Sequence, residues 1–295
     1  MRRLRVHLPE QRDFCGVTEF LLDNLLLLPF LFVTYLVLEI LEARAGGALE
    51  RSLGRTRRLG PLFGALAGAV PQCGFSAAAA SFYAGGAVTA GTLIAVFLST
   101  SDELIPVLLS EKAPLALIFR ILAVKVAVGV GVGLAVNAML SFIGKGSPTL
   151  HVDELCAHSR CSCKERKGVF VPALVHTVEI FLFILIISGV IEIVLHFVGE
   201  EGLRHLILNE PWWGEALAGL IGLVPNCAVS VSGAQIFLKG GMSANALMAL
   251  SLTGSGVGLL VLFRTNRHWR ENVAILLCVY LSGVLFGHFT GFLIR

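Results

Sequence analysis

The chain has 295 residues, of which 56% are hydrophobic and only 15% are charged, and its formal net charge at pH 7 is +3. Its mean hydropathy of +0.82 is well above what a water-soluble domain with a single core requires. These values exclude a soluble globular protein and indicate an all-α polytopic membrane protein.

Eight long apolar segments follow one another, and about 20 residues of helix are enough to cross the hydrocarbon core. They lie at about 20–41, 60–84, 88–110, 115–143, 172–198, 214–238, 242–263 and 272–294. Arg2, Arg3 and Arg5 before the first segment also resemble the start of a signal peptide. We expect a membrane helix instead, because the first segment has a counterpart in the second half of the chain.

The chain repeats itself at an offset of 154 residues. The stretch LAGAVPQCGFSAAAA from Leu66 aligns with LIGLVPNCAVSVSGA from Leu220, and 15 of 46 positions are identical between 64–109 and 218–263. Gly-x-x-x-Gly pairs, at Gly129 in one half and Gly283 in the other, also align and predict close helix packing. Internal duplication of a membrane unit is typical of secondary transporters.

The repeat divides the chain into four parts. An N-terminal segment (1–19) precedes a first transmembrane repeat (20–143), and a Cys/His loop (144–171) separates it from a second repeat (172–295). Each repeat has a full helix, a stretch broken at a Pro-Cys motif, a broken helix and a closing helix. The Pro-Cys stretch fits either one kinked helix or a re-entrant hairpin of two half-helices.

Loop charge favours the hairpin. Hairpins give three crossings per repeat and hence two inverted repeats, whereas kinked helices give four crossings and parallel repeats. Under inversion, loops 43–60, 144–171 and 264–271 share one side and contain thirteen Lys and Arg residues, against two in loops 110–114 and 199–215. The positive-inside rule then predicts a cell (inner) membrane protein with the basic loops in the cytoplasm. The N-terminal arginines oppose this orientation.

The motifs VPQCG and VPNCA interrupt the two repeats at equivalent places. Proline frees a backbone carbonyl, the amide side chain offers another oxygen, and cysteine offers a soft sulfur ligand, so each break could bind a cation or a thiophilic metalloid. The alternative is that each cysteine fills space at a kink. The candidate ion-path residues here are Pro71, Gln72, Cys73, Ser76, Pro225, Asn226, Cys227 and Ser230.

The next segment of each repeat also has a polar middle, STSDE in the first and TGSG in the second. A charge at the bilayer centre costs about 2.5–3.5 kcal/mol, so these groups usually mark an ion path, although residues near a helix end could reach water. Glu39 and Glu192 recur late in the first helix of each repeat and could form a proton or cation relay, and Lys125 could be a counter-charge, although all three side chains could instead snorkel. The ion-path candidates here are Ser99, Ser101, Asp102, Glu103, Thr253, Ser255, Glu39 and Glu192.

The central loop concentrates metal-ligand residue types within 13 positions. Thiols, imidazoles and carboxylates at this density indicate a loose metal sensor or acceptor in a reducing cytoplasm, and the spacing is not that of a zinc finger. A solvated linker with incidental cysteines is the alternative. The candidate ligands are His151, Asp153, Glu154, Cys156, His158, Cys161 and Cys163.

Over about 14–295 the chain resembles the ten-transmembrane heavy-metal exporter family, which is related to arsenic permeases and sometimes described as manganese transporters. The VPQCG and VPNCA breaks, the STSDE and TGSG segments and the Cys/His loop carry the resemblance. The resemblance implies efflux of a cation or metalloid. Counting each hairpin as two segments gives five per repeat, which agrees with ten.

The residues and the resemblance together predict a secondary active exporter of a heavy-metal or metalloid ion, with a midplane site between the repeats. Cysteine ligands favour arsenic, mercury, zinc or copper, whereas oxygen ligands favour manganese. No phosphate-binding Gly-x-x-x-x-Gly-Lys loop appears, so direct ATP drive is not expected. We expect the bilayer and the ion as partners, no nucleic acid and no cofactor, with a homo-oligomer left open.

Two other functions remain open at this point. A permease for a small organic anion would use half-helix N-termini at the midplane breaks, since these attract carboxylates and oxyanions. An intramembrane metalloprotease could use His176 and Glu179, but the chain has no His-Glu-x-x-His motif, and duplicated sites are unusual for an enzyme. An enzyme is therefore not expected.

Overall fold

The structure is a computed structural model, and the description below is confined to part of the chain. It describes residues 28–29, 32–33, 35–36, 40, 59–71, 73–101, 104–143, 170–171, 173–175, 177–186, 189–190 and 211–294. Within these residues the fold consists of helices and their connecting turns, with no β-strand. The all-helical fold class is confirmed.

The helices take the same order in both halves of the chain. They are α1 (Leu59–Gly68), α2 (Cys73–Ala84), α3 (Ala90–Ser99), α4 (Leu104–Ser110), α5 (Leu115–Phe142), α6 (Ala173–Ile186), α7 (Pro211–Gly222), α8 (Cys227–Leu238), α9 (Ala244–Thr253), α10 (Gly258–Thr265) and α11 (Trp269–Thr290). A short 3-10 helix, Gly291–Ile294, follows α11. Further helical residues lie between 28 and 40.

Helix starts recur at the offset of the sequence repeat. Helices α2 and α8 begin 154 residues apart, each shortly after the proline of its Pro-Cys motif. Helices α3 and α9 also begin 154 residues apart, and each has a hydroxyl N-cap. The Thr89 Oγ1 accepts a hydrogen bond of 3.2 Å from the Thr92 amide, and the Ser243 Oγ accepts one of 3.1 Å from the Ala246 amide.

Four helical stretches are long and apolar enough to cross a membrane by length and composition. They are Ala90–Ser110, Leu115–Phe142, Ala244–Thr265 and Trp269–Ile294. The chain is thus a multi-pass membrane protein. Helices α3 and α9 are buried along almost their whole lengths, whereas α5 and α11 expose one apolar face. The core is therefore centred on α3 and α9.

Glycines set the distance between the core helices and the long outer helices. A Cβ atom on Gly133 of α5 would lie 2.5 Å from the Gly91 carbonyl of α3, and one on Gly287 of α11 would lie 2.6 Å from the Ala249 backbone of α9. No side chain fits at these distances, so only glycine allows the helices to pack this closely. The predicted packing role of the Gly-x-x-x-Gly pairs is confirmed.

Helix α1 runs parallel to α3. At its start, Gly60 lies against Thr92 near the start of α3, and at its end Gly68 lies against Ser99 at the end of α3. Helices α2 and α10 pack together, as do α8 and α4, so the helix after each Pro-Cys motif contacts the other half of the chain. At one such contact, a Cβ on Gly258 would lie 2.7 Å from the Ser76 Cβ.

Candidate ion site at the two helix breaks

The core helices α3 and α9 both stop inside the protein. Helix α3 ends at Ser99, and α4 resumes at Leu104; α9 ends at Thr253, and α10 resumes at Gly258. Each break leaves carbonyl groups of the preceding helix without partners in the next turn. In the second break, Gly256 has a φ of +56°, a conformation that side chains disfavour.

Lys125 joins the first break to the helix that precedes the second. The side chain comes from α5 and is only 1% exposed. Its Nζ donates to the Thr100 carbonyl and, at 2.7 Å each, to the carbonyl and the hydroxyl of Ser251. An ammonium group has three N–H donors, and these three oxygens match them in number. The interpretation of Lys125 as a snorkelling residue is therefore wrong.

Sequence reasoning missed Thr100 and Ser251. The available signal was Lys125 itself, because a lysine in the middle of an apolar helix needs oxygen partners within the protein. Ser251 was the less visible of the two, since a serine in an apolar helix usually bonds to its own backbone.

A small cavity adjoins this lysine. Its volume of about 10 Å³ is close to the smallest that holds one water molecule. The lining comes from both repeats, namely Thr100, Ser101, Leu104, Lys125, Ser230, Leu250, Ser251 and Gly254. Two residues predicted for the ion path, Ser101 and Ser230, therefore meet at one cavity although they are 129 residues apart in sequence.

The remaining described candidates at the breaks differ in how their hydroxyls are used. The Ser99 Oγ donates to the Val96 carbonyl at 3.0 Å, and the Thr253 Oγ1 lies 3.0 Å from the Ala249 carbonyl. These hydroxyls therefore bond within their own helices. Ser255 is 1% exposed, and its Oγ has no hydrogen-bond partner among the described residues.

The predicted residues of the Pro-Cys motifs are less enclosed. Pro71 is exposed, Pro225 and Asn226 are half-buried, and Ser76 is buried between α2 and α10. The side chains of Cys73 and Cys227, and the candidates Gln72, Asp102, Glu103, Glu39 and Glu192, lie outside the described part. So do all the candidate ligands of the central loop and His176.

Three further polar contacts connect distant parts of the chain. The buried Glu215 of α7 has its Oε2 2.7 Å from the His288 Nδ1 of α11. The Glu179 Oε1 of α6 lies 2.5 Å from the Arg264 Nη2. The Tyr83 hydroxyl at the end of α2 donates at 3.2 Å to the Glu271 carboxylate at the start of α11. Because Glu179 is engaged with an arginine, its pairing does not support the metalloprotease alternative.

The family comparison agrees with this architecture. The family model described as "Putative, 10TM heavy-metal exporter" matches residues 25–209, which cover most of the first repeat, the central loop and the first helix of the second. No significant match to a curated protein or to a solved structure was found. A family of exporters consists of transporters rather than enzymes. Since the match covers more than half of the chain, the protein belongs to this family of ten-transmembrane heavy-metal exporters.

Proposed function

We propose that the protein exports a metal or metalloid ion by secondary active transport, through a midplane site where the breaks of its two repeats meet. The observation that carries the proposal is that one buried cation, the Lys125 ammonium, is bound by backbone oxygens from both repeats. Carbonyls at helix C-termini carry partial negative charge and stabilise cations. A site that binds an ammonium in this way has the oxygen donors that a metal cation needs.

The two repeats lie inverted, each with a re-entrant Pro-Cys hairpin. The parallel course of α1 and α3 supports the hairpin. Since α1 ends beside Ser99 and α3 starts again beside Gly60, the intervening α2 must run back along them. Its 12 residues span about 18 Å as helix, which is enough for this return and too short for a crossing of its own.

Two of the long-range polar contacts support inversion. In the inverted arrangement, the end of α2 and the start of α11 share a side, as the Tyr83–Glu271 hydrogen bond requires. The Glu215–His288 contact likewise needs the start of α7 and the end of α11 on one side. With kinked helices and parallel repeats, the members of each pair would lie on opposite faces, about 30 Å apart.

The basic loops 43–60, 144–171 and 264–271 face the cytoplasm, and the protein lies in the cell (inner) membrane. Their thirteen Lys and Arg residues support this orientation. The internal repeat supports the domain division of 1–19, 20–143, 144–171 and 172–295. The Cys/His loop then meets the reducing side, where its thiols stay free to accept metal before export.

Cation transport is favoured over transport of an organic anion. The cavity lining includes Thr100 and Gly254, which follow the C-termini of α3 and α9, and also Leu104 and Ser230 in the first turns of α4 and α8, so helix polarity alone does not distinguish a cation from an anion. Among the described residues, the Lys125 ammonium donates to oxygens of Thr100 and Ser251, and this environment of backbone and hydroxyl oxygens supports a cation as the cargo. Proton or membrane-potential coupling drives export.

Both sulfur and oxygen ligands are available for the ion. Cys73 and Cys227 begin α2 and α8 and favour thiophilic ions such as arsenite, whereas the oxygens near Lys125 favour manganese or another harder cation. A borderline metal would use both kinds of ligand.

Whole-cell metal content tests the function directly. Expression of the protein should lower cellular Mn, Zn, Fe, Cu or As, measured by mass spectrometry, relative to cells without it. Unchanged content of all five elements would overturn the proposal.

The double variant Cys73→Ser/Cys227→Ser tests sulfur ligation. Loss of tolerance to arsenite but not to manganese is expected if both thiols bind the ion. Cys278→Ser is the matched control, since this half-buried thiol lies in α11 and belongs to neither motif. Full tolerance in the double variant would return the two cysteines to a packing role.

A further inference from the structure

The packing of the helices does not require a lysine at position 125. The equivalent residue of the second repeat, 154 positions later, is Val279, which is fully buried in α11 where α11 packs on α9. An apolar side chain thus satisfies the same packing position. A buried lysine in a membrane helix costs about 2.5–3.5 kcal/mol even on a lenient scale, so its presence calls for a function.

The oxygen donors around Lys125 are equally unsymmetrical. The residue equivalent to Ser251 in the first repeat is Phe97, which is fully buried. A Cβ on Gly258 would lie 2.8 Å from the Phe97 ring, so this ring packs closely against α10. The first repeat therefore has a phenylalanine ring where the second has a hydroxyl facing Lys125, while a backbone carbonyl is present at this position in both. Because the repeats differ at Lys125/Val279 and at Ser251/Phe97, only one such group of oxygens forms instead of two. We call the Thr100 carbonyl and the carbonyl and hydroxyl of Ser251 the oxygen cage.

A second cation beside the ammonium would be strongly repelled. The adjoining cavity holds about 10 Å³, so an ion there would lie within a few ångströms of Nζ. Two unit charges 4 Å apart repel by about 4 kcal/mol at an effective dielectric constant of about 20, and a divalent ion doubles this. Binding of a cation at these oxygens and retention of the ammonium there are mutually exclusive.

We propose that Lys125 is a tethered cation that fills the ion site of the empty transporter, and that the transported cation displaces its ammonium from the oxygens of Thr100 and Ser251. This inference rests on the proposed function, in that it takes the cargo to be a cation. Oxygen donors of this kind select a hard or borderline metal cation. By occupying the oxygens of the empty cage, the lysine allows the unloaded carrier to change conformation and return.

The first test replaces Lys125, whose ammonium competes with the transported cation for the oxygens. Lys125→Met keeps most of the length of the side chain and removes its charge, and Val279→Met places the same side chain at the equivalent position of the second repeat. In purified full-length protein, Lys125→Met should bind Mn²⁺ or Zn²⁺ about tenfold more tightly or better, which corresponds to at least about 1.4 kcal/mol. Val279→Met should bind as the wild type does.

Transport by the same variants gives an independent measure. In proteoliposomes, Lys125→Met should lose net efflux but keep exchange of internal for external metal, because exchange does not need the return of an empty carrier. Unchanged or weaker metal binding by folded Lys125→Met would overturn the inference. Loss of oxyanion binding in this variant would also overturn it, by making the lysine an anion ligand.

A second measurement uses the unaltered protein and does not depend on a variant that folds. Reductive methylation of Lys125, followed by mass spectrometry, should increase when saturating Mn²⁺ or Zn²⁺ displaces the ammonium from its cage. Equal modification with and without metal would overturn the inference. A wild type that transports no cation in the panel would instead overturn the proposed function, so the two failures are distinguishable.

Discussion

The α3–α5 pair of the first repeat and the α9–α11 pair of the second pack in the same way but carry different polar residues. In both, a glycine of the long helix packs against the backbone of the core helix, Gly133 in one and Gly287 in the other. Yet Lys125 of α5 corresponds to Val279 of α11. Duplication has preserved the packing surfaces, while the polar groups have diverged. Neither repeat therefore supplies all three oxygens around Lys125, and the proposed ion site lies where the two repeats meet.

The glycine packing that both repeats share should be equally sensitive to substitution in either repeat. Gly133→Leu and Gly287→Leu should both abolish the folded protein, because each new side chain would overlap the backbone of the facing helix. Fluorescence-detected size-exclusion chromatography measures the loss. Gly131→Leu is the control, since a Cβ at this exposed glycine would meet nothing within 4 Å. If only one of the two glycine variants failed to fold, the frameworks would not be equivalent.

Removing a polar contact that occurs only in the second repeat should destabilise that repeat. Glu215 is 2% exposed and pairs with His288, whereas the equivalent residues of the first repeat are Pro61 and Leu134. Glu215→Ala leaves the His288 ring without this partner, and we expect a loss of about 1–3 kcal/mol of stability.

The melting temperature in detergent measures this loss. Glu215→Gln is the matched control, because its side-chain oxygen can still accept from the histidine, and it should melt closer to the wild type. Equal melting of Glu215→Ala and the wild type would show that the pair does not stabilise the second repeat.

The Tyr83–Glu271 hydrogen bond, which contributes little to stability, tests the proposed inversion. Tyr83→Phe removes a partly exposed hydrogen bond to Glu271 and should change stability by about 1 kcal/mol or less. A cross-linking test uses the same two positions. A short flexible bismaleimide should cross-link the double variant Tyr83→Cys/Glu271→Cys within one chain. Tyr83→Cys paired with His288→Cys is the control, since His288 lies near the other end of α11. Cross-linking of the control alone would contradict inversion.

Local features were predictable from the sequence, and tertiary partners were not. The breaks at Pro71 and after Ser99, the membrane-spanning lengths and the glycine contacts all follow from local residue types, and the structure contains them. The Lys125–Ser251 contact spans 126 residues, and no periodicity within either helix encodes it.

The same limit applies to how a polar residue is used. The sequence identified Thr253 and Ser255 as equal candidates, yet one hydroxyl bonds to its own helix and the other is buried without a described partner. This difference depends on where each helix ends, which residue types alone do not determine to within one or two positions. The separation of Glu215 from His288 by 73 residues hid that pair in the same way.

The most direct test of the central claim is metal flux through proteoliposomes with the cage altered from the second repeat. Ser251→Ala removes one of the oxygens around the cation position, and an interaction of about 1.5–3 kcal/mol with a charged group corresponds to roughly a ten- to hundredfold loss of apparent metal affinity. Thr253→Val, whose lost hydroxyl bonds only to its own helix in the described structure, should stay within about twofold of the wild type on the same reasoning. A Ser251→Ala variant that transports metal with wild-type affinity would contradict the proposal that the ion passes where the two repeats meet.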